Sequence, residues 1–237
     1  MSRFLNDLRN YELNESILDR GIFKAVFMAG AGGSGKSYVL SKVKSGSIEP
    51  RIVNIDRFIE YYGHDYEKEY FDRSRKQTTK QLIQYVNSLL PLAIDCTSKK
   101  HEKTIQRANI LENVGYDTAM VFVNTDLDIA LERSSKRKRK VPEEEIINAY
   151  NYLQKSKPYL KSKFNLFLEI TNNGDIDDEV ILKIFKKINF FYDTPVRNPI
   201  GIETIEVMRK NGWKYLVPNV YTFTELEEIL IPFHGRL

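Results

Sequence analysis

Residues 30–37 read GAGGSGKS, which fits the G-x-x-x-x-G-K-[ST] pattern of a phosphate-binding loop. The run follows a nearly continuous apolar stretch, residues 22–29, and leads into a helix-compatible stretch, residues 37–43. A strand before the loop and a helix after it are the context in which this pattern binds phosphate. The sequence therefore predicts a nucleoside triphosphate site at this turn.

Each residue type in the loop has a physical role. We expect the four glycines to adopt positive φ, so that consecutive main-chain N–H groups approach the phosphate oxygens. The helix that follows adds the positive end of its dipole. Lys36 is expected to contact the β- and γ-phosphates, and Ser37 to ligate Mg²⁺. The predicted nucleotide-binding residues are Gly30, Ala31, Gly32, Gly33, Ser34, Gly35, Lys36 and Ser37.

The composition of the 237-residue chain is that of a globular protein, with 42% hydrophobic and 29% charged residues. The net charge of +4 suits an anionic ligand without requiring nucleic acid. Cys96 is the single cysteine, which excludes an intrachain disulfide and favours a reducing, cytoplasmic compartment. Neither a secretory signal nor a membrane-spanning segment is expected, because no long apolar run occurs.

Strand-like and helix-like segments alternate after the loop, as is typical of a mainly parallel, doubly wound sheet. The predicted strands are residues 22–29, 51–55, 92–94, 119–123 and 166–170. The predicted helices are residues 77–90, 104–114 and 127–136, with a further helix beginning at Pro142. Thr125 and Asp128 predict an N-terminal cap for the helix at 127–136.

These segments predict a short N-terminal arm, residues 1–20, a nucleotide-binding domain, residues 21–175, and a small α+β C-terminal extension, residues 176–237. The extension is predicted to contain a helix at 201–210, a strand at 213–217 and a final short helix. Its aromatic residues are interpreted as a small packed core, since aromatic side chains are usually buried. The alternative is that they form a surface that contacts a protein partner.

Two carboxylates follow predicted strands, at the sheet edge where ligands bind in α/β proteins. Asp56, after the second strand, is placed to accept the proton of an acceptor hydroxyl. Asp95, after the third strand, is placed to hold Mg²⁺ or its water shell. For each residue the alternative is a helix-capping role, which also favours aspartate.

A basic run, RSSKRKRKVPEEE, occupies residues 133–145. Arg133 and Arg137 are four residues apart and therefore project from one face of a helix. Two guanidinium groups on one face can neutralise the β- and γ-phosphates during transfer. Because Pro142 then starts another helix, we predict a lid over residues 130–145. The alternative is a solvated helix end whose cations complement the helix dipole.

In order and spacing, these motifs resemble the phosphate-loop kinases that include phage polynucleotide 5′-hydroxyl kinases and zeta toxins. The resemblance covers about residues 22–160 and rests on the loop at 30–37, Asp56, Asp95-Cys96-Thr97, Arg133 with Arg137, and Val141-Pro142. It implies a P-loop NTPase fold, a three-layer α/β/α arrangement around a five-stranded parallel sheet in the order 2-3-1-4-5.

The resemblance also implies roles for individual residues. Lys36 and Ser37 would serve ATP and Mg²⁺, Asp56 would be the general base, and Arg133 and Arg137 would contact the donor phosphates. The family often carries an arginine three residues after the base aspartate, to hold the acceptor. Here that position is Ile59, and Arg57 lies beside the aspartate instead.

Two functions are compatible with the sequence. The first is a kinase that moves the γ-phosphoryl group of ATP to a hydroxyl, either a polynucleotide 5′-hydroxyl or a small metabolite such as a nucleotide sugar. The second is a module that binds or hydrolyses ATP and docks a protein partner through the C-terminal extension. The loop at 171–174 is the predicted position of the adenine, from its place in the fold alone.

Overall fold

The computed structural model describes residues 20–43, 48–62, 68–136, 141–174 and 178–210. Five strands form one sheet: β1 Lys24–Ala29, β2 Arg51–Val53, β3 Leu92–Asp95, β4 Asp117–Asn124 and β5 Leu166–Thr171. Their order is β2-β3-β1-β4-β5, and every neighbouring pair is parallel. The predicted sheet and its 2-3-1-4-5 order are therefore confirmed.

The described helices are α1 Lys36–Val43, α2 Asp56–Tyr62, α3 Lys68–Asn87, α4 His101–Asn113, α5 Leu127–Ser135, α6 Glu143–Lys163, α7 Asp178–Asp193 and α8 Pro199–Lys210. Side chains of α3, α4, α6 and α8 pack on one face of the sheet, and those of α1 and α7 pack on the other. All six residues of β1 are buried, as expected for a central strand covered on both faces. None of these helices has the length and apolar character needed to cross a bilayer.

Three segments differ from the sequence prediction. The strand β2 ends at Val53, so residues 54 and 55 belong to the loop that leads into α2. Helix α3 begins at Lys68 rather than 77, because its first turns are strongly polar and carry little apolar periodicity. An ion pair between Glu69 and Arg73, at 2.6 Å, supports those turns. Helix α7 has no counterpart among the predicted helices.

The capping role predicted for Thr125 is wrong. The residue before α5 is Asp126, and no side-chain hydrogen bond caps that helix. The hydroxyl group of Thr125 donates instead to the carbonyl oxygens of Ser34, at 3.1 Å, and Asn124, at 2.8 Å. A residue that the pattern assigned to a helix end therefore supports the glycine-rich loop.

A buried ion pair joins the sheet to the connection between α7 and α8, at the end remote from the loop. Lys24 is 1% exposed, and its ammonium group donates to Asp117, at 2.7 Å, and to the carbonyl oxygen of Pro195, at 3.0 Å. Burial lowers the pKa of Lys24 and outweighs the opposing effect of Asp117. The same carboxylate accepts the main-chain N–H of Arg197 at 2.9 Å. Residues 1–19 and 211–237, with the predicted arm, strand and final helix, lie outside the described residues.

Candidate active site

The glycine-rich loop fills the turn between β1 and α1. Gly33 and Gly35 adopt positive φ angles of 82° and 87°. A Cβ atom at Gly33 would overlap the carbonyl oxygen of Ala130, and one at Gly35 would overlap the side-chain amide of Asn172. Glycine is required at these two positions by the fold itself, whether or not a ligand is bound.

Gly32 differs from its neighbours. Gly30, Gly33 and Gly35 are among the glycines with positive φ, and Gly32 is not, so the prediction of positive φ at all four loop glycines is wrong at this one. A Cβ atom there would meet only an ordinary contact, 3.8 Å from Cγ1 of Ile146. The fold therefore leaves room beside Gly32 for the close approach of a ligand.

The loop is tied to the ends of three neighbouring strands. The carbonyl oxygen of Ser34 accepts hydrogen bonds from the side chains of Thr125, at 3.1 Å, and Asn172, at 2.7 Å. On the other side, the main-chain N–H of Gly30 donates to the carbonyl oxygen of Thr97 at 3.3 Å. Sequence reasoning missed Thr125 and Asn172 as loop supports. The available signal was a polar residue directly after a buried strand.

Lys36 and Ser37 open α1 at the mouth of the loop. The ammonium group of Lys36 donates to the carbonyl oxygens of Gly30, at 2.6 Å, and Ala31, at 3.1 Å, so it is held against the loop backbone. Ser37 follows in the first turn with an exposed side chain. Together they place a cation and a hydroxyl group beside main-chain N–H groups, a donor set suited to phosphate and Mg²⁺.

Two carboxylates on the β2–β3 side of the loop are linked by one asparagine. Asp95 ends β3 and lies opposite Met28 of β1 in the sheet register, close to the start of the loop. The amide nitrogen of Asn54 donates to Asp95 at 2.8 Å, and its amide oxygen accepts the main-chain N–H of Asp56 at 2.7 Å. Asp56 is exposed in the first turn of α2. Sequence reasoning missed Asn54.

Arg133 lies on the opposite side of the loop, in the last turn of α5. Its guanidinium group donates to the carbonyl oxygens of Asn172, at 3.0 Å, and Gly174, at 3.3 Å. It therefore contacts the 171–174 segment, the predicted position of the adenine. Arg137, its predicted companion, lies outside the described residues.

Cys96 lies between the loop and α4, directly after Asp95. Its thiol donates to the carbonyl oxygen of Met28 at 3.4 Å and contacts the hydroxyl of Ser98 at 3.1 Å. Burial raises the pKa of the Cys96 thiol, and the positive charges of Arg107 and Lys36 act in the opposite direction without offsetting burial. The thiol is therefore protonated at neutral pH and serves in packing.

The carboxylates and the loop suit a Mg²⁺ ion that arrives with a nucleotide. Within the part of the chain that the structure describes, no cluster of three or more His, Cys, Asp or Glu side chains could hold a metal ion by itself. Mg²⁺ keeps several waters and binds through phosphates with one or two protein ligands. Ser37 and Asp95 meet that requirement chemically.

A family model of the zeta toxins matches residues 14–182 of the chain, which is more than half of its 237 residues. A search of curated proteins finds no match. The family match covers the loop at 30–37, both carboxylates and Arg133.

Three solved structures are similar. A chain of the Pnkp1/Rnl/Hen1 RNA repair complex matches with a TM-score of 0.50 and 19% identity, over 61% of this chain and 47% of that chain. A candidate kinase from Chloroflexus aurantiacus matches with a TM-score of 0.54 and 11% identity, over 71% of this chain and 97% of that one. A chain of the PezAT toxin–antitoxin system of Streptococcus pneumoniae has a TM-score of 0.47 and 15% identity, over 80% and 95% of the two chains. At these identities, the first two likenesses establish a shared fold only, and the matched region spans less than half of the repair-complex chain.

Proposed function

The chain belongs to the zeta toxin family, and from that membership we propose that it is a kinase that transfers the γ-phosphoryl group of ATP to a hydroxyl group. One observation carries the proposal. A phosphate-binding loop with its lysine and a pair of carboxylates linked by Asn54 lie at the same edge of one parallel sheet. Phosphoryl transfer needs these two elements side by side.

The donor phosphates lie on the loop in this proposal. Main-chain N–H groups between Gly30 and Ser37 bind the phosphate oxygens, and Lys36 neutralises the β- and γ-phosphates. Its ammonium group, now bonded to two loop carbonyl oxygens, needs only a short movement to reach a phosphate. Ser37 and Asp95 would hold Mg²⁺, which supplies charge neutralisation between the β- and γ-phosphates.

Asp56 is the proposed general base. Its carboxylate accepts the proton of the acceptor hydroxyl while the oxygen bonds to the γ-phosphorus. The bond from that phosphorus to the β–γ bridging oxygen breaks at the same time, and ADP leaves. Exposure at the start of α2 leaves the carboxylate open to an acceptor. Arg133 and Arg137 are proposed to stabilise the charge that spreads over the transferred group.

The acceptor is either a polynucleotide 5′-hydroxyl or a hydroxyl of a small metabolite. The resemblance that precedes the comparisons allows both, and both require the same base and the same donor site. A mildly basic chain is compatible with either anionic acceptor. The acceptor is therefore identified by a direct assay of transfer.

The assay offers γ-labelled ATP and Mg²⁺ with 5′-hydroxyl DNA, 5′-hydroxyl RNA, nucleosides, sugars and nucleotide sugars. We expect label on one class of acceptor and a loss of about a hundredfold or more in transfer rate for Asp56→Asn, since general-base catalysis contributes that much. Asp128→Asn removes an exposed carboxylate from the first turn of α5 and is the matched control, with an unchanged rate expected.

Two results would contradict the proposal. Full transfer by Asp56→Asn would remove Asp56 from the role of base. Label that appears only as free phosphate, with every acceptor in the panel, would favour the alternative of a nucleotide-hydrolysing module. Lys36→Ala, checked for an unchanged circular dichroism spectrum, should lose transfer while it stays folded.

A further inference from the structure

Four basic side chains from two helices are brought together on the acceptor side of the proposed active site. Lys103 and Arg107 are four residues apart on α4 and share one face of it, and Lys100 immediately precedes that helix. Arg75 joins them from α3. We call these four residues the α3–α4 basic cluster. Its members are close enough that Lys100, Arg107 and Arg75 all lower the pKa of Lys103.

The cluster is partly enclosed. The side chain of Arg75 is 18% exposed, lies over the ring of Phe71 at 4.9 Å, and pairs with Asp72 at a long 3.7 Å. Arg107 is half-buried, and burial together with the charge of Arg75 lowers its pKa. Both guanidinium groups are therefore held in position by the surrounding helices, at a cost in desolvation and repulsion.

The position of the cluster places it on the carboxylate side of the loop. Helix α4 begins six residues after Asp95. Between them lies Cys96, whose thiol is influenced by Arg107 from one side and by Lys36 of the loop from the other. Arg133, in contrast, contacts the segment after β5, on the far side of the sheet order. The loop therefore separates a donor-side arginine from this cluster.

Like charges held this close repel one another, by about 1 kcal/mol per pair at 4 Å in water and more where water is excluded. A bound anion removes that repulsion. Two arginines from different helices offer planar forks that match the oxygens of a phosphate group. The donor phosphates are already provided for by the loop, so the anion that this cluster fits belongs to the other substrate.

We infer that the α3–α4 basic cluster binds a phosphate group of the acceptor, with Arg75 and Arg107 as its specificity-determining residues. This inference rests on the proposed kinase function and names its acceptor class: a phosphorylated compound whose free hydroxyl faces Asp56. Neutral sugars and nucleosides are poor acceptors. The cluster fixes which end of the acceptor enters, and the carboxylate acts on the hydroxyl at the other end.

The test is a calorimetric titration on protein already saturated with Mg²⁺ and a non-hydrolysable ATP analogue, which occupies the loop. The probes are UMP and uridine, a matched pair that differs by one phosphate group and does not compete for an adenine pocket. We expect UMP to bind at least about tenfold more tightly than uridine, and Arg75→Gln and Arg107→Gln each to weaken UMP by about tenfold. Arg107→Lys should lie between, because it keeps the charge and loses the fork.

Arg73→Gln is the matched control. It removes the same charge from α3, at a side chain that is 58% exposed and paired with Glu69, and should leave UMP binding unchanged. Unaltered affinity of the cluster variants for the ATP analogue shows that they are folded. A 5′-hydroxyl oligonucleotide in place of UMP distinguishes the source of the phosphate: weakening of the oligonucleotide assigns the cluster to a nucleic acid backbone, and weakening of UMP assigns it to a free nucleotide.

The outcomes separate this inference from the function on which it rests. If the analogue binds and UMP and uridine bind equally, or the arginine variants retain UMP affinity, the acceptor assignment is wrong and the kinase proposal stands. If the analogue itself fails to bind wild-type protein, the kinase proposal fails and the acceptor assignment with it.

Discussion

At the scale of single residues, the loop glycines divide into those that the fold requires and one that the proposed ligand requires. Gly33 and Gly35 face protein atoms at distances that exclude a Cβ atom. Gly32 has space, and its conformation is open to other residues. The two kinds of glycine are indistinguishable in the sequence pattern, because the pattern records only that a side chain is missing.

This division predicts opposite effects for two alanine substitutions. Gly33→Ala should lower the free energy of unfolding by about 2 kcal/mol or more, because of its positive φ and its contact with Ala130. Gly32→Ala should stay within about 0.5 kcal/mol of wild type and lose affinity for an ATP analogue. Urea denaturation and calorimetry measure the two effects. Equal destabilisation by both substitutions would contradict the division.

Asn54 shows what residue patterns leave out. The sequence identified Asp56 and Asp95 because acidic residues after strands have a known chemistry. Asn54 links them through two hydrogen bonds, and nothing in its local sequence indicates that link. The link depends on β2 and β3 being neighbours in space, which only the folded sheet provides.

At the scale of elements, apolar periodicity and turn residues were sufficient for the strands and most helices. The first two turns of α3 were missed because they are polar and are supported by ion pairs rather than by burial. Helix α7 was missed although it carries an apolar stripe of buried residues, Ile181, Ile184, Ile188 and Tyr192. Its neighbouring aromatic residues drew attention to composition in place of spacing, and Phe190 is in fact 66% exposed.

Helix α5 ends at an arginine with two possible duties, and a substitution separates them. Arg133 now bridges α5 to the carbonyl oxygens after β5, while the proposed mechanism uses it on the donor phosphates. We expect Arg133→Gln to lower kcat by about a hundredfold, as for loss of one group that stabilises the transition state, with a smaller effect on ATP affinity. Steady-state kinetics measures both. A variant with unchanged kcat and a raised KM for ATP would limit Arg133 to supporting the 172–174 segment.

At the scale of the whole molecule, the sheet order separates two sides of one site. The central strand β1 delivers the loop, β3 and β2 deliver the carboxylates, and β4 and β5 deliver the supports of Ser34 and the contact of Arg133. The opposite end of the sheet is closed by the Lys24–Asp117 pair, which attaches the α7–α8 connection. That end contributes stability and no proposed chemistry.

The buried pair gives a prediction for global stability. Lys24→Met leaves the Asp117 carboxylate without its buried partner, and we expect a loss of about 3 kcal/mol in the free energy of unfolding. Lys183→Met removes a lysine from an exposed pair with Glu179 at 2.8 Å and should change stability by less than about 1 kcal/mol. Urea denaturation compares the two variants. Equal stabilities would show that the pair does not hold the C-terminal helices to the sheet.

The central claim is that the turn at residues 30–37 grips a polyphosphate, and calorimetric titration of wild-type protein with Mg²⁺ and three adenine nucleotides tests it most directly. The account predicts that an ATP analogue and ADP bind at one site per chain, and that AMP, which lacks the phosphates that contact Lys36, binds at least about a hundredfold more weakly. Equal affinity for AMP and the ATP analogue, or no heat from any of the three with folded protein, would contradict it.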